Sequence, residues 1–122
     1  MKKPGTKVRH HKEIVIVELL DEEIIDEAAT NDIAELLFSL VADKPPVQML
    51  LNFEQVRHLG SSMLSILVML NRRIENSQST IKLCGINSSL RQLFSTTKTD
   101  RLFDICEDEE QALLSFGNKP PC

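Results

Sequence analysis

The chain has 122 residues, of which 42% are hydrophobic and 26% charged, and its formal net charge is -4. This length and composition fit one soluble domain with its own core. The acidic balance and the absence of Tyr and Trp argue against nucleic-acid binding, which uses Lys and Arg to neutralise phosphate and aromatic rings to stack on bases. The basic start, residues 2–12, is too short to reverse this, so we expect a solvated terminus there.

The sequence shows no signal segment, membrane span or metal-binding motif. Residues 1–13 contain no apolar signal segment, and no apolar run has the length of a membrane span. The three cysteines, an odd number, show neither a C-x-x-C spacing nor a zinc-ligand spacing with the histidines. We therefore expect a cytoplasmic protein that is not inserted into a membrane and holds no metal or other cofactor.

Hydrophobic periodicity predicts alternating strands and helices. In chain order these are a strand at 14–17, a helix from Thr30 or Asn31 to about Val41, a strand at 47–52, a helix at 61–76, a strand at 80–84, a short helix from Asn87 or Ser88, a strand at 102–105 and a helix from Asp108. A short edge strand around Lys7–His10 precedes them, and residues 21–26 are an acidic loop. This alternation predicts an α/β fold with a small, mainly parallel sheet of four to five strands and four helices.

Three details of these elements are specific enough to test. The helix at 61–76 is apolar almost all round and is predicted to be the most buried. Asp108, with Gln111 three residues later, predicts a capping box at the last helix. Cys84 and Cys106 fall at strand ends and are predicted to be small core residues.

The turn Gly60-Ser61-Ser62 is the best candidate for a functional site. It follows a strand and opens a helix, at the edge of the sheet where parallel α/β folds bind their ligands. Backbone N–H groups at a helix start stabilise an anion, such as the phosphate of a phosphoserine. The alternative is plain capping, in which the Ser62 hydroxyl accepts a hydrogen bond from the first turn.

Other reactive side chains do not predict an enzyme. His58 lies near Ser61 in sequence, but a hydrolase would also need an orienting group and an oxyanion site, so an exposed surface histidine is expected. The acidic residues at 21–27 predict a solvated face in preference to a metal site. Asn52 ends the second predicted strand where phospho-aspartate chemistry would need an Asp.

One stretch resembles the core motif of the STAS domain, the anti-sigma factor antagonist family, which reads D-x-S-x-V-x-x-I-D-S-S-G-L before a helix. It is residues 50–64, which read L-L-N-F-E-Q-V-R-H-L-G-S-S-M-L. Residues 81–94 resemble the family's next strand and helix, and residues 99–113 resemble its ending. The resemblance covers about residues 10–116, so we expect a STAS-like domain at 11–116. Residues 1–10 are then an N-terminal segment, and residues 117–122, which contain Pro120 and Pro121, are expected to be a flexible tail.

The resemblance also implies a function. Members of the family bind an anti-sigma factor that is a serine kinase and thereby release the sigma factor. Phosphorylation of the first serine in D-S-S-G switches this binding off; Ser61 matches that serine, and Ser62 is the alternative. Gly60 stands where the family has Asp, and Met63 stands where it has Gly.

Two segments are expected to form the partner-binding surface, side by side at the edge of the sheet. Their residues are Asp21, Glu22, Glu23, Leu59, Gly60, Ser61, Ser62 and Met63. We expect a monomer that binds an anti-sigma factor or serine kinase and is not an enzyme. The alternative function is that of a divergent, unphosphorylated STAS domain, acting as a scaffold or a transporter-associated subunit.

Overall fold

Seven strands form two sheets in the computed structural model, which describes residues 5–118. In chain order they are β1 (Thr6–His11), β2 (Ile14–Leu19), β3 (Glu23–Ile24), β4 (Gln48–Asn52), β5 (His58–Leu59), β6 (Thr80–Cys84) and β7 (Asp104–Cys106). The main sheet has the order β1-β2-β4-β6-β7, and β3 pairs with β5. β1 is antiparallel to β2, whereas every other pairing is parallel.

Helices cover both faces of the main sheet. They are α1 (Glu27–Asp43), α2 (Ser61–Asn76), α3 (Ser88–Thr96) and α4 (Glu109–Asn118), with a 3₁₀ turn at Thr99–Arg101. Val15 and Val17 of β2 join the core under α1, α2 and α3, whereas Ile14 and Ile16 join the core under α4. Because successive strand side chains point to opposite faces, a strand covered on both sides is apolar at consecutive positions.

The predicted fold class is confirmed, with a mainly parallel five-stranded sheet and four α-helices within the described residues. The edge strand predicted at Lys7–His10 is β1. Asn87 is the N-cap of α3, and its side chain accepts a hydrogen bond from the Leu90 N–H at 2.9 Å. The Asp108 carboxylate accepts one from the Gln111 N–H at 2.9 Å, as its predicted cap requires.

The core under α4 combines apolar and polar contacts. Cys84 and Cys106 are fully buried in it, as predicted, and burial raises the pKa of the Cys84 thiol to about 12. Lys82 is 5% exposed, and its Nζ lies 3.1 Å from Asp104 Oδ2 and 5.4 Å from the centre of the Phe116 ring. These two contacts compensate for removing the ammonium group from water.

The predicted start of α1 is wrong. The helix begins at Glu27, because Asp26 is the N-cap and its side chain accepts a hydrogen bond from the Ala29 N–H at 3.3 Å. Thr30, one of the two expected caps, lies inside the helix and is 2% exposed. Its hydroxyl donates to the Asp26 carbonyl at 3.0 Å, which satisfies the buried polar group locally.

The prediction that α2 is the most buried helix is also wrong, because it has four buried residues and α1 has five. One face is buried by Met63, Leu67, Leu70 and Ile74. Val68 and Met69 lie on the other side and are 36% and 49% exposed. The helix is therefore amphipathic, and its apolar outer residues remain uncovered by the described part of the chain.

Some element boundaries also differ from the prediction. The acidic loop at 21–26 contains the short strand β3. The last strand begins at Asp104, because the 3₁₀ turn occupies Thr99–Arg101 and Phe103 enters the main core. The predicted tail begins inside α4, which continues to Asn118; residues 119–122, like residues 1–4, lie outside the described part.

Candidate partner-binding site

A two-residue parallel ladder joins the acidic segment to the start of α2. Glu23 pairs with His58, and Ile24 pairs with Leu59. The ladder continues into the helix start, where the Gly60 N–H donates to the Ile24 carbonyl at 2.9 Å. The two segments predicted to form the partner surface therefore lie side by side, as expected.

Most of the predicted partner-binding residues are accessible. Glu22, Glu23, Ser61 and Ser62 are exposed, and Asp21, Leu59 and Gly60 are half-buried. Met63 differs from these, because it is completely buried in the main core. Met63 stands where the family has glycine, and its side chain packs in the core. It therefore does not contribute to the predicted surface.

Gly60 is the N-cap of α2 and adopts an ordinary extended conformation, with φ -86° and ψ 167°. The turn does not require glycine, because a Cβ added there would lie 3.4 Å from its nearest neighbour, Ile25 Cα. No side chain caps the helix start. The capping role considered for Ser62 is therefore wrong: Ser62 is already the second residue of the helix, beyond the position from which a side chain caps.

We expect Gly60→Asp to raise the free energy of unfolding by about 0.5 kcal/mol, because the new carboxylate would accept a hydrogen bond from the first turn of α2. Thermal melts of the two proteins measure this. Gly60→Ala is the matched control, since it adds a Cβ without an acceptor. An Asp variant no more stable than the Ala variant would show that the carboxylate does not reach the N–H groups.

Ser61 occupies the first position of α2 and is exposed. Its hydroxyl forms no hydrogen bond within residues 5–118. The partial positive charge of the helix start stabilises a negative group attached there. The exposed carboxylates of Glu22 and Glu23, on the neighbouring segment, have the opposite effect on such a group.

The structure offers little support for other chemistry at this edge. His58 is exposed, as expected, although it lies in β5 and not in a loop. Within the described residues, no three His, Cys, Asp or Glu side chains come together in an arrangement that could hold a metal ion. The helices of the same part are too short or too polar to span a membrane.

The sequence shows to which family the chain belongs, and the fold described above agrees with it. The chain matches the family model of the STAS domain over residues 6–112. It belongs to the STAS domain family. No curated protein matches the sequence.

Several solved structures share the fold. An anti-sigma-factor antagonist (STAS) domain protein from Planctomyces limnophilus superposes with a TM-score of 0.80 at 21% identity, covering 90% of this chain and 95% of that one. Bacillus SpoIIAA in the phosphorylated form gives 0.67 at 18% identity, with 88% and 96% covered. The murine anion transporter Slc26a9 gives 0.75 at 13% identity, covering 91% of this chain but only 19% of the transporter. Likeness at these identities shows the fold alone.

The STAS domain also exposes one apolar residue next to Gly60 that sequence reasoning missed. Ile25 is 57% exposed, and its Cα lies next to Gly60. The signal was present in the pair Ile24-Ile25, because neighbouring residues of an extended segment face opposite sides and only one of them can enter the core. Ile24 is the buried member, with 0% exposure.

Proposed function

We propose that this STAS domain is an anti-sigma factor antagonist that binds an anti-sigma factor with serine kinase activity in the cytoplasm. Phosphorylation of Ser61 weakens that binding. The observation that carries the proposal is the exposed Ser61 at the first position of α2, beside the acidic segment. The fold is also that of SpoIIAA, which has been solved in a phosphorylated form.

Binding, not catalysis, accounts for the shape of the site. The acidic segment and the start of α2 form one continuous surface through the β3–β5 ladder. Exposed carboxylates at the rim of such a surface speed the approach of a basic partner. Ile25 and the half-buried Leu59 supply apolar contact area at its centre.

The switch follows from the charge of a phosphate. Phosphorylation of Ser61 would add about -1.5 to -2 charges at pH 7. The small, neutral serine lets a partner approach the helix start closely, whereas a phosphate adds bulk and negative charge next to Glu22 and Glu23. The N-terminus of a helix favours anions, so the phosphate should not destabilise the fold. It should weaken the binding of the partner instead.

Ser61→Asp is expected to weaken partner binding by about 1 kcal/mol or more, whereas Ser61→Ala should bind as the wild type does. The partner is first captured from the native cell extract with wild-type protein and identified, and binding is then measured by calorimetry. Ser88→Asp is the matched control, because Ser88 is the exposed first residue of α3. Equal binding by both Ser61 variants would contradict the switch.

A second function is favoured by one observation, the likeness of this chain to a part of Slc26a9 that covers 19% of the transporter. In that case this chain is a scaffold or a transporter-associated subunit and is not phosphorylated. Gly60, which stands where the family has Asp, is compatible with the loss of a phosphorylation site. Capture of a membrane transporter, together with equal binding by Ser61→Asp and Ser61→Ala, would favour this function.

A further inference from the structure

The helix α4 covers the face of the main sheet that lies opposite α1, α2 and α3. The side chains beneath it are apolar and at most 6% exposed: Ile14, Ile16, Leu50, Cys84 and Cys106. Among the α4 residues whose side chains are described, only Ala112 and Ser115 are buried. By comparison, α2 buries four large apolar residues. Because Ala and Ser bury little apolar surface, α4 is held to the sheet by a small hydrophobic contact.

The contact between α4 and the sheet includes charged groups in the first and last turns of the helix. In the first turn, Glu109 accepts a hydrogen bond from Arg9 at 2.6 Å. In the last turn, the ring of Phe116 lies 5.4 Å from the ammonium group of Lys82, whose other contact is with Asp104 at 3.1 Å. Lys82 is 5% exposed, and taking an ammonium group out of water costs free energy that its contacts must offset. Release of α4 returns this charge to water, which lowers the cost of exposing the apolar face.

The contact is also incomplete on one side of the helix. A groove of about 620 Å³ lies between α4 and the starts of β2 and β4, and its apolar lining includes Ile14, Leu113, Leu114 and Phe116. Leu113 and Phe116 are only half-buried, and Leu114 is 60% exposed. Protein interiors are normally close-packed, so side chains that line an open groove lack part of the dispersion attraction that holds a helix in place.

We propose that α4 is a releasable cover, which separates from the sheet while the rest of the domain stays folded. Elements with few buried apolar contacts open at a lower free energy than the whole structure. The closed form is the structure described above, and the open form presents an apolar sheet face that the closed form hides. This face lies on the opposite side of the sheet from α2 and Ser61, so the opening does not depend on the partner proposed above.

Cys84 reports the opening, because it lies beneath α4 and is completely buried in the closed form. Burial raises the pKa of the Cys84 thiol to about 12, so the closed form offers hardly any thiolate to an alkylating reagent. Labelling by iodoacetamide is measured on the chain with Cys106→Ala and Cys122→Ala, in which Cys84 is the one remaining cysteine. When the rate is proportional to the reagent concentration, it measures the population of the open form. We expect this rate to rise with urea much less steeply than global unfolding does, because the release of one helix exposes little surface.

Two further substitutions in this chain separate the release of α4 from unfolding of the whole domain. Phe116→Ala removes the contact with Lys82 and part of the cover, so it should speed the labelling of Cys84 about tenfold. Ile74→Val is the matched control, because it shortens a buried side chain in the main core on the other face of the sheet. If the reagent reached Cys84 only through global unfolding, Ile74→Val would speed labelling about fivefold, whereas we expect no change.

Three labelling results would overturn the proposal. They are acceleration by Ile74→Val in proportion to its loss of global stability, no effect of Phe116→Ala, and a urea dependence equal to that of global unfolding. Hydrogen exchange followed by mass spectrometry tests the unsubstituted chain and so does not depend on the folding of any variant. The amides of α4 should exchange faster than those of α1 and α2, and equal protection of the three helices would also overturn the proposal.

Discussion

Leu67→Ala is expected to lower the free energy of unfolding by about 2–5 kcal/mol. Leu67 is completely buried in the main core, on the face of α2 that it shares with Met63 and Leu70. Its truncation removes apolar contacts and leaves a cavity that the surrounding close-packed core fills only in part. Urea denaturation followed by circular dichroism measures the loss.

Met69→Ala is the matched control for this prediction. Met69 lies on the same helix but is 49% exposed, so its truncation should change stability by less than about 0.5 kcal/mol. A loss below about 1 kcal/mol for Leu67→Ala would mean that α2 does not contribute to the core as the structure shows.

The second large effect concerns Glu109, which connects α4 to two strands. Its Oε2 accepts hydrogen bonds from Arg9 Nη2 at 2.6 Å and from Asn52 Nδ2 at 2.9 Å. Asn52 is only 7% exposed, so Glu109→Ala leaves a buried amide group without this acceptor. We expect a loss of about 1–3 kcal/mol, measured by the same urea denaturation. Glu110→Ala, an exposed change in the same helical turn, should have little effect.

This loss should depend on pH. The hydrogen bond from Arg9 chiefly, and that from Asn52, hold the pKa of Glu109 below its usual value of 4.5. A carboxylate whose pKa is lower in the folded state stabilises the protein fully above the unfolded-state value, and this stabilisation is lost as the pH falls through the folded-state value. The difference between wild type and Glu109→Ala should therefore be largest at neutral pH and shrink in acid. A difference that stays constant through the acid range would contradict the role of the charge.

The strands could be predicted because their residues leave few alternatives. β2 carries four consecutive β-branched residues, which suit a strand buried on both faces. The start of α1 was harder, because Asp26 and Thr30 are both good N-cap types and Asp26 sits in an acidic run that is typical of a loop. In the structure, Asp26 is the N-cap, because tertiary packing buries Thr30 inside the helix.

The candidate site could be predicted only in outline. Parallel pairing places strand ends at one edge, so the proximity of the acidic segment to Ser61 followed from topology. The burial of Met63 and the exposure of Val68 did not, because almost every residue of that stretch is apolar and composition does not show which face meets the sheet. The buried set Met63, Leu67, Leu70 and Ile74 does keep helical spacing, so periodicity within the apolar run carries that information.

Site-resolved phosphorylation tests the central claim most directly. The purified chain is incubated with ATP in its native cell extract, recovered and mapped by mass spectrometry, alongside Ser61→Ala, Ser62→Ala and Ser88→Ala. The antagonist function predicts phosphate on Ser61 that is lost only in Ser61→Ala. An unmodified Ser61 in an extract that contains the captured partner, or phosphate confined to Ser62, would contradict it.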